Sequence, residues 1–171
     1  FFTENTISEY KSLIQKSFCF DQYTIDTEEQ FDEIYEKYKN SEDILFRGQR
    51  EASWRLYGRL QRQWILDKLY EKGYTYQELL AKFVSEGKAN FEENILTLLE
   101  IHHIDVINNI SVLGFLQHHG CPTPLLDWTY KFHTALYFGI DRIEKNIGPR
   151  EIDNYFSVYY INQNDMEGGG M

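Results

Sequence analysis

Proline sets the first limit on this chain. There are three in 171 residues, and two of them, Pro122 and Pro124, stand two positions apart. A proline ring removes a backbone donor, clashes with the preceding helical turn and pushes the residue before it toward extended backbone. Residues 121–128 are therefore extended or turning, and much of the remaining chain is open to helix. Apolar spacing and cap signals place those helices. Residues 4–17 carry Ile7, Tyr10, Leu13 and Ile14 on one stripe. Thr27-Glu28-Glu29-Gln30 is a capping-box pattern ahead of Phe31, Ile34, Tyr35 and Tyr38. A helix is expected from Leu60 to Lys72, stopped by Gly73. Thr75-x-x-Glu78 and Asn90-x-x-Glu93 begin two more. Asp105 heads another that carries Val106, Ile110, Leu113 and Leu116, with Gly120 just past its end. Lys131 to Asn146 completes the set, with Ala135, Leu136, Phe138 and Ile143 facing inward.

Strand signals are fewer. Ile44-Leu45-Phe46 is a short apolar run closed by Arg47-Gly48. The aromatic-rich stretch from Phe18 to Thr24 and the alternating stretch from Tyr155 to Asn162 are the other two. The expected class is α+β, a helix-rich single domain with a small mixed or antiparallel sheet.

Composition narrows the function. Apolar residues make up 42% of the chain, enough for a real core. The net charge of −10 opposes a general coating of nucleic acid or anionic membrane, both of which need positive fields. No stretch approaches the ~20 apolar residues of a membrane span, and no basic segment followed by an apolar one marks a signal peptide. Cys19 and Cys121 are read as free thiols of a reducing, cytoplasmic compartment. The chain opens on Phe1-Phe2 and closes on a glycine-rich run that resembles a linker or truncated loop. The expected divisions are a helical lead-in over 1–43, a domain over 44–162 and a tail over 163–171.

Five of the seven arginines, Arg47, Arg50, Arg55, Arg59 and Arg62, fall within sixteen residues. A guanidinium fork suits carboxylate or phosphate. Arg55, Arg59 and Arg62 would share a helix face, and for Arg55 and Arg59 the expectation is pairing with the surplus acids of the chain. Arg47 is different. It follows a buried run and precedes a glycine, where a ligand can approach the backbone. Residues Gln117 to Thr129 are dense in polar groups within an apolar frame. His118, His119 and Cys121 lack the second ligand pair that structural zinc wants, so no metal is assigned. Cys121 follows a helix exit, which is a poor setting for a nucleophilic thiol. Asp127 is read as a turn or cap residue, or as a carboxylate holding an arginine or a substrate hydroxyl. Tyr137 is read as core, or as the wall of a flat-ligand pocket.

The segments Leu45-Phe46-Arg47-Gly48-Gln49, Trp54-x-Leu56, Leu60-x-Arg62, Gln117-His118-x-Gly120-x-Pro122-Thr123-x-Leu125-Leu126-Asp127-Trp128-Thr129 and Ala135-Leu136-Tyr137-Phe138 together resemble the FRG domain family, named after its aromatic-Arg-Gly motif. The resemblance runs from about Ile44 to about Asn162 and implies a bacterial or phage protein. Pro124 stands where the family often has Arg, Lys131-Phe132 replaces a small-residue and proline pair, and His119 replaces a frequent aromatic. A shorter likeness concerns the strand ending in aromatic-Arg-Gly, which resembles the first core strand of ADP-ribosyltransferases. That likeness implies a toxin or defence effector with NAD as substrate. On that likeness Arg47 holds the dinucleotide phosphates, Thr123 or Thr129 supplies the hydroxyl that supports the ribose, and Tyr137 with Phe138 resembles the pair that stacks nicotinamide. Asp127 joins Arg47, Thr123 and Thr129 as a catalytic candidate, and Arg62, Gln117 and His118 join Arg47 and Tyr137 as dinucleotide-binding candidates. The activating Glu of such enzymes has no match in a strand context.

Two other readings stand beside it. One is a non-catalytic sensor or protein-interaction module in which the Arg and Asp motifs are structural, with a protein or a further domain as partner. The other is nucleic-acid binding through the arginines with Trp54 and Trp64, which the net charge opposes.

Overall fold

The computed structural model describes residues 9–89, 97, 99–101, 103, 108–141 and 148–164. The fold is helix-rich α+β. Its residues group into two units, one of Leu56–Leu126 with the first eight residues, the other of Glu9–Arg55 with Asp127–Met171.

The second unit is built on an antiparallel ribbon of β1 (Ile44–Gln49) and β2 (Ser157–Asn162). Successive side chains of a strand face opposite ways, so the register sorts the ribbon into two faces. Phe46 and Gly48 share a face with their partners Tyr160 and Val158, while Arg47 and Gln49 share the other with Tyr159 and Ser157. The Phe46 face is covered by helix α2 (Glu28–Tyr38) and by the helix Phe132–Ile140, which is α6 below. Phe46, Phe132 and Ala135 form its buried centre, with Tyr35, Tyr38 and Val158 around them. The opposite face meets α1 (Leu13–Ser17) and the core of Tyr10, Ala52 and Ile152. The free edge of β1 is closed by Thr129, whose N–H and C=O both pair with Phe46, at 2.8 and 2.7 Å.

In the first unit, α3 (Arg59–Leu66) and a short 3₁₀ turn at Leu69–Lys72 are followed by α4 (Tyr76–Ala89) and α5 (Asn109–His118). Val84 of α4 packs on Val112 and Leu113 of α5.

Local signals are met where a side chain can reach its own backbone. Thr27 and Gln30 form the expected capping box, and Thr75 and Glu78 cap α4 reciprocally. Gly120 takes φ +84°. Its N–H donates to the Gln117 carbonyl and that of Cys121 to the Leu116 carbonyl, the two bonds of a Schellman ending.

Several boundaries differ from expectation. Within residues 9–17 only Leu13–Ser17 is helical, because Ser12 caps there and Tyr10 is drawn into an extended pairing with Ser53. Phe18 to Thr24 is no strand: Phe20 turns its ring edge-on to Tyr159, and among the described residues the segment pairs with no neighbouring strand. The expected Leu60–Lys72 helix breaks after Leu66, where Lys68 adopts a left-handed φ of 49°. Phe138 was expected inward and is 58% exposed, since Gly48 and β1 meet the Ala135 and Gly139 side of α6. The caps at Asn90 and Asp105, and Val106 and Ile143, lie outside the described residues.

Candidate functional site

The site is built from β1. Phe46 buries its ring, so alternation turns Arg47 to the α1 face, beside its cross-strand partner Tyr159. The half-buried Arg47 guanidinium donates from Nη1 to the main-chain oxygen of Asp127 at 2.8 Å. A carbonyl acceptor orients a guanidinium fork. Together with the Phe46–Thr129 pair, this bond ties the Asp127–Thr129 stretch to the strand.

Lys16 lies under the same face. It is 5% exposed, and its ammonium donates to the Ala52 carbonyl at 3.0 Å and to Ser157 Oγ at 2.6 Å. It also sits 4.8 Å from the centre of the Tyr159 ring. Both hydrogen-bond partners are neutral oxygens, so burial opposes the charged form and pulls the Lys16 pKa down to about 8. Tyr159 is 8% exposed. Burial, first, and then the neighbouring Tyr10 push its phenol well up, against a downward pull from the Arg47 charge. Arg55 completes the group, its guanidinium 4.5 Å from the centre of the Tyr10 ring. In a chain of net charge −10, three cations thus gather around two buried phenols.

Lys16 gives this unit a distinctive pH response. Its folded pKa is lowered, so between about 8 and 10.5 the unfolded chain holds more protons and stability rises with pH. Wild-type stability relative to Lys16→Met is expected to climb by about 2–3 kcal/mol from pH 7.5 to pH 10, the size of a two-unit shift. Urea unfolding at the two pH values checks this. A constant difference would mean that Lys16 is not charged and desolvated in the native state.

The remaining positions fall as follows. Thr129 spends its Oγ1 on the Lys131 N–H, starting the turn into α6, in addition to its pairing with Phe46. Asp127 meets Arg47 through its carbonyl. Tyr137 lies on α6, 58% exposed, with its ring edge against Phe138. Thr123, Gln117, His118 and Arg62 belong to the other unit. Thr123 is 1% exposed, its hydroxyl donates to Gln117 Oε1, and its carbonyl accepts from the Leu60 N–H. His118 is exposed at the end of α5, edge-on to His119, and Arg62 is half-buried on α3. The structure thus gathers Arg47, Asp127 and Thr129 along one edge of β1, and Thr123 with Gln117 at the exit of α5.

Two expectations about arginines change. Arg55 precedes α3, so it shares no helix face with Arg59 and Arg62. Among the described residues neither Arg55 nor Arg59 pairs with an acid: Arg55 lies on Tyr10, and Arg59 donates to the Gly120 carbonyl at 3.2 Å. Arg150 is acid-paired instead, bridging Asp153 at 2.6 Å and Glu9 at 3.1 Å. Lys16, Tyr159 and Tyr10 were not anticipated. The contact of Lys16 with Ser157 spans 141 positions, and no local pattern announces a buried lysine.

Among the described residues no helix is long and apolar enough to cross a membrane, and no three metal-binding side chains cluster. Both cysteines are free. Neither a search of curated proteins nor one of solved structures returns a match. A family model does match, that of the FRG domain, over residues 42–147, from the start of β1 through the Leu-Leu-Asp-Trp-Thr segment and beyond α6. With more than half of its length under that model, and with the aromatic-Arg-Gly strand placed as described, the chain belongs to the FRG domain family.

Proposed function

We propose that this FRG domain is a nucleotide-binding module that grips the phosphates of NAD, or of a related dinucleotide, through Arg47. The observation that carries the reading is the cationic face of the ribbon. There the Arg47 guanidinium is held by the Asp127 main-chain oxygen, with the buried Lys16 ammonium against its strand partner Tyr159, in a protein whose overall charge is strongly negative. A half-buried guanidinium can attract an anion locally where the net charge of the protein repels it. Arg47 supplies a planar fork that matches a phosphate. Asp127 and Thr129, fixed at the edge of the same strand, border the approach to it.

Transfer of ADP-ribose is the catalytic form of this reading, as in a toxin or defence effector. It requires a carboxylate to stabilise positive charge developing at the ribose. Glu151, in the 3₁₀ turn ahead of β2, is exposed, while Glu144 and Glu167 lie outside the described residues.

NAD at ten times its dissociation constant stabilises a folded protein by about 1.4 kcal/mol. A rise in melting temperature of roughly 3–5 °C is expected for wild type, and none for Arg47→Ala. No shift for wild type at millimolar NAD would overturn the proposal.

One observation favours a second reading. The Arg47–Asp127 bond and the Phe46–Thr129 pair make a structural latch between strand and loop. On that reading Arg47→Ala lowers the melting temperature sharply and wild type ignores nucleotides. A folded Arg47→Ala protein that has lost NAD binding decides for the ligand.

A further inference from the structure

The pairing of Lys16 with Ser157 has a chemistry of its own. Lys16 lies in the last turn of α1 and Ser157 begins β2, and the lysine Nζ is 2.6 Å from the serine Oγ. The other partner of Nζ is the Ala52 carbonyl oxygen at 3.0 Å, and the Tyr159 ring lies 4.8 Å away. A buried ammonium is ordinarily held by a carboxylate. Among the described residues none touches this one. The bond to Ala52 is buried, whereas the bond to Ser157 is only partly so, and Ser157 itself is half-buried. With Lys16 at 5% exposure, the hydroxyl is the more open end of the pair.

When the amine loses its proton, the groups around it leave one arrangement. A neutral Nζ keeps two N–H donors and gains a lone pair. The Ala52 carbonyl can only accept, and Tyr159 offers the face of its ring. Ser157 alone has a proton to give, so the bond reverses and its O–H donates to Nζ. A hydroxyl nucleophile with an adjacent base, the base held by a third group, is the arrangement that covalent catalysis uses. Here the third group is the Ala52 carbonyl. Burial makes the proton-free amine available near neutral pH, since it pulls the Lys16 pKa down to about 8. Around Tyr159 stand the Tyr10 phenol, Arg47 and Cys19, and burial pushes the Tyr159 phenol up, so it stays protonated over this range.

We infer that Ser157 is a nucleophile with Lys16 as its general base, and that it takes an acyl group from an activated ester. Oγ attacks the ester carbonyl carbon as its proton passes to Nζ. The Oγ–C bond forms, the bond from that carbon to the leaving oxygen breaks, and Nζ passes the proton to the leaving oxygen or to water. Lys16 ends neutral and Ser157 acylated. The inference stands apart from the nucleotide reading.

Treatment of the full chain with p-nitrophenyl acetate tests it, with the acetylated residue located by peptide mass spectrometry. An acetyl group is expected on Ser157 and is lost in Ser157→Ala. Its rate of appearance should rise with pH and level off above about 8, as the amine loses its proton. Lys16→Met removes the base and keeps an unbranched chain, so Ser157 should acetylate about 100-fold more slowly. If Lys16→Met does not give a native circular dichroism spectrum, the pH profile of wild type carries the test.

A folded wild type whose Ser157 stays unmodified at a pH above about 8 would overturn the inference. So would acetylation of Lys16 in place of Ser157, or a folded Lys16→Met protein that acetylates Ser157 at the wild-type rate. A rate that climbs with pH and never levels would also overturn it, since hydroxide and not Lys16 would then be the base. None of these results touches NAD binding, which Arg47→Ala tests separately.

Discussion

Gly48→Ala is expected to destabilise the protein by about 3 kcal/mol or more, at the upper end of the range for forced overpacking. A Cβ placed on Gly48 would lie 1.8 Å from the Ala135 carbonyl oxygen and 2.7 Å from the Gly139 nitrogen. Both are main-chain atoms of α6. No flexible side chain is there to swing aside, so the helix itself must move. Its inner side carries Ala135, one of the most deeply buried residues, against Phe46. Lifting the helix opens that core. Gly48 does not adopt a positive φ, so the glycine is required here for space and not for backbone freedom. A domain of this size holds only about 5–15 kcal/mol in total, so the loss should show as a large fall in urea midpoint. A change under 1 kcal/mol would mean that α6 does not rest on the strand as described.

That result bears on how the motif is read. From sequence, a glycine after Arg47 suggests room for a ligand to reach the backbone. In the structure that room is occupied by a helix, on the Phe46 face, while Arg47 points to the other face. The strands at Ile44–Phe46 and near Tyr155 to Asn162 were legible, since apolar runs and alternation mark them directly, but Arg47-Gly48 does not turn the chain: β1 runs on to Gln49, paired with β2, and that pairing was not legible. Caps were legible for a related reason. Thr27 with Gln30, and Thr75 with Glu78, form their bonds within four residues, so sequence spacing and spatial distance coincide.

What escaped was set by contacts between distant positions. Phe18 to Thr24 has the aromatic content of a strand, yet a strand needs a neighbour to pair with, and Phe20 is engaged through its ring instead. Lys68 breaks a helix whose periodicity continues, because a left-handed residue can stand where no glycine announces it. Within this region, Arg47, Asp127 and Thr129 were named from their motifs, and the structure places them along one strand edge. The burial of Lys16 beneath β2 and the seating of Arg55 on Tyr10 depend on the ribbon bringing residues 10, 16, 55 and 159 together. Surplus acid in the composition pointed to ion pairing for Arg55. Composition counts charges and says nothing of where a folded chain places them.

The three residues of the motif therefore have separable tasks, and Phe46 provides the cleanest separation. Its side chain is 1% exposed, with ring centres 5.2 Å from Phe132 and 5.6 Å from Tyr38, both edge-on. Phe46→Ala removes those contacts and leaves a cavity between the ribbon, α2 and α6, for an expected loss of about 3–5 kcal/mol. The backbone pair between Phe46 and Thr129 does not depend on the ring, so this loss measures packing alone. Phe46→Leu fills most of the space and should lose about 1–1.5 kcal/mol. Because alternation puts the ring on the face opposite Arg47, Phe46→Leu should also bind NAD with wild-type affinity. Chemical unfolding and nucleotide titration of the two variants check both halves of the prediction. If Phe46→Leu stays folded but loses the nucleotide, the two faces of the ribbon are not independent, and the assignment of packing to Phe46 and phosphate to Arg47 is wrong.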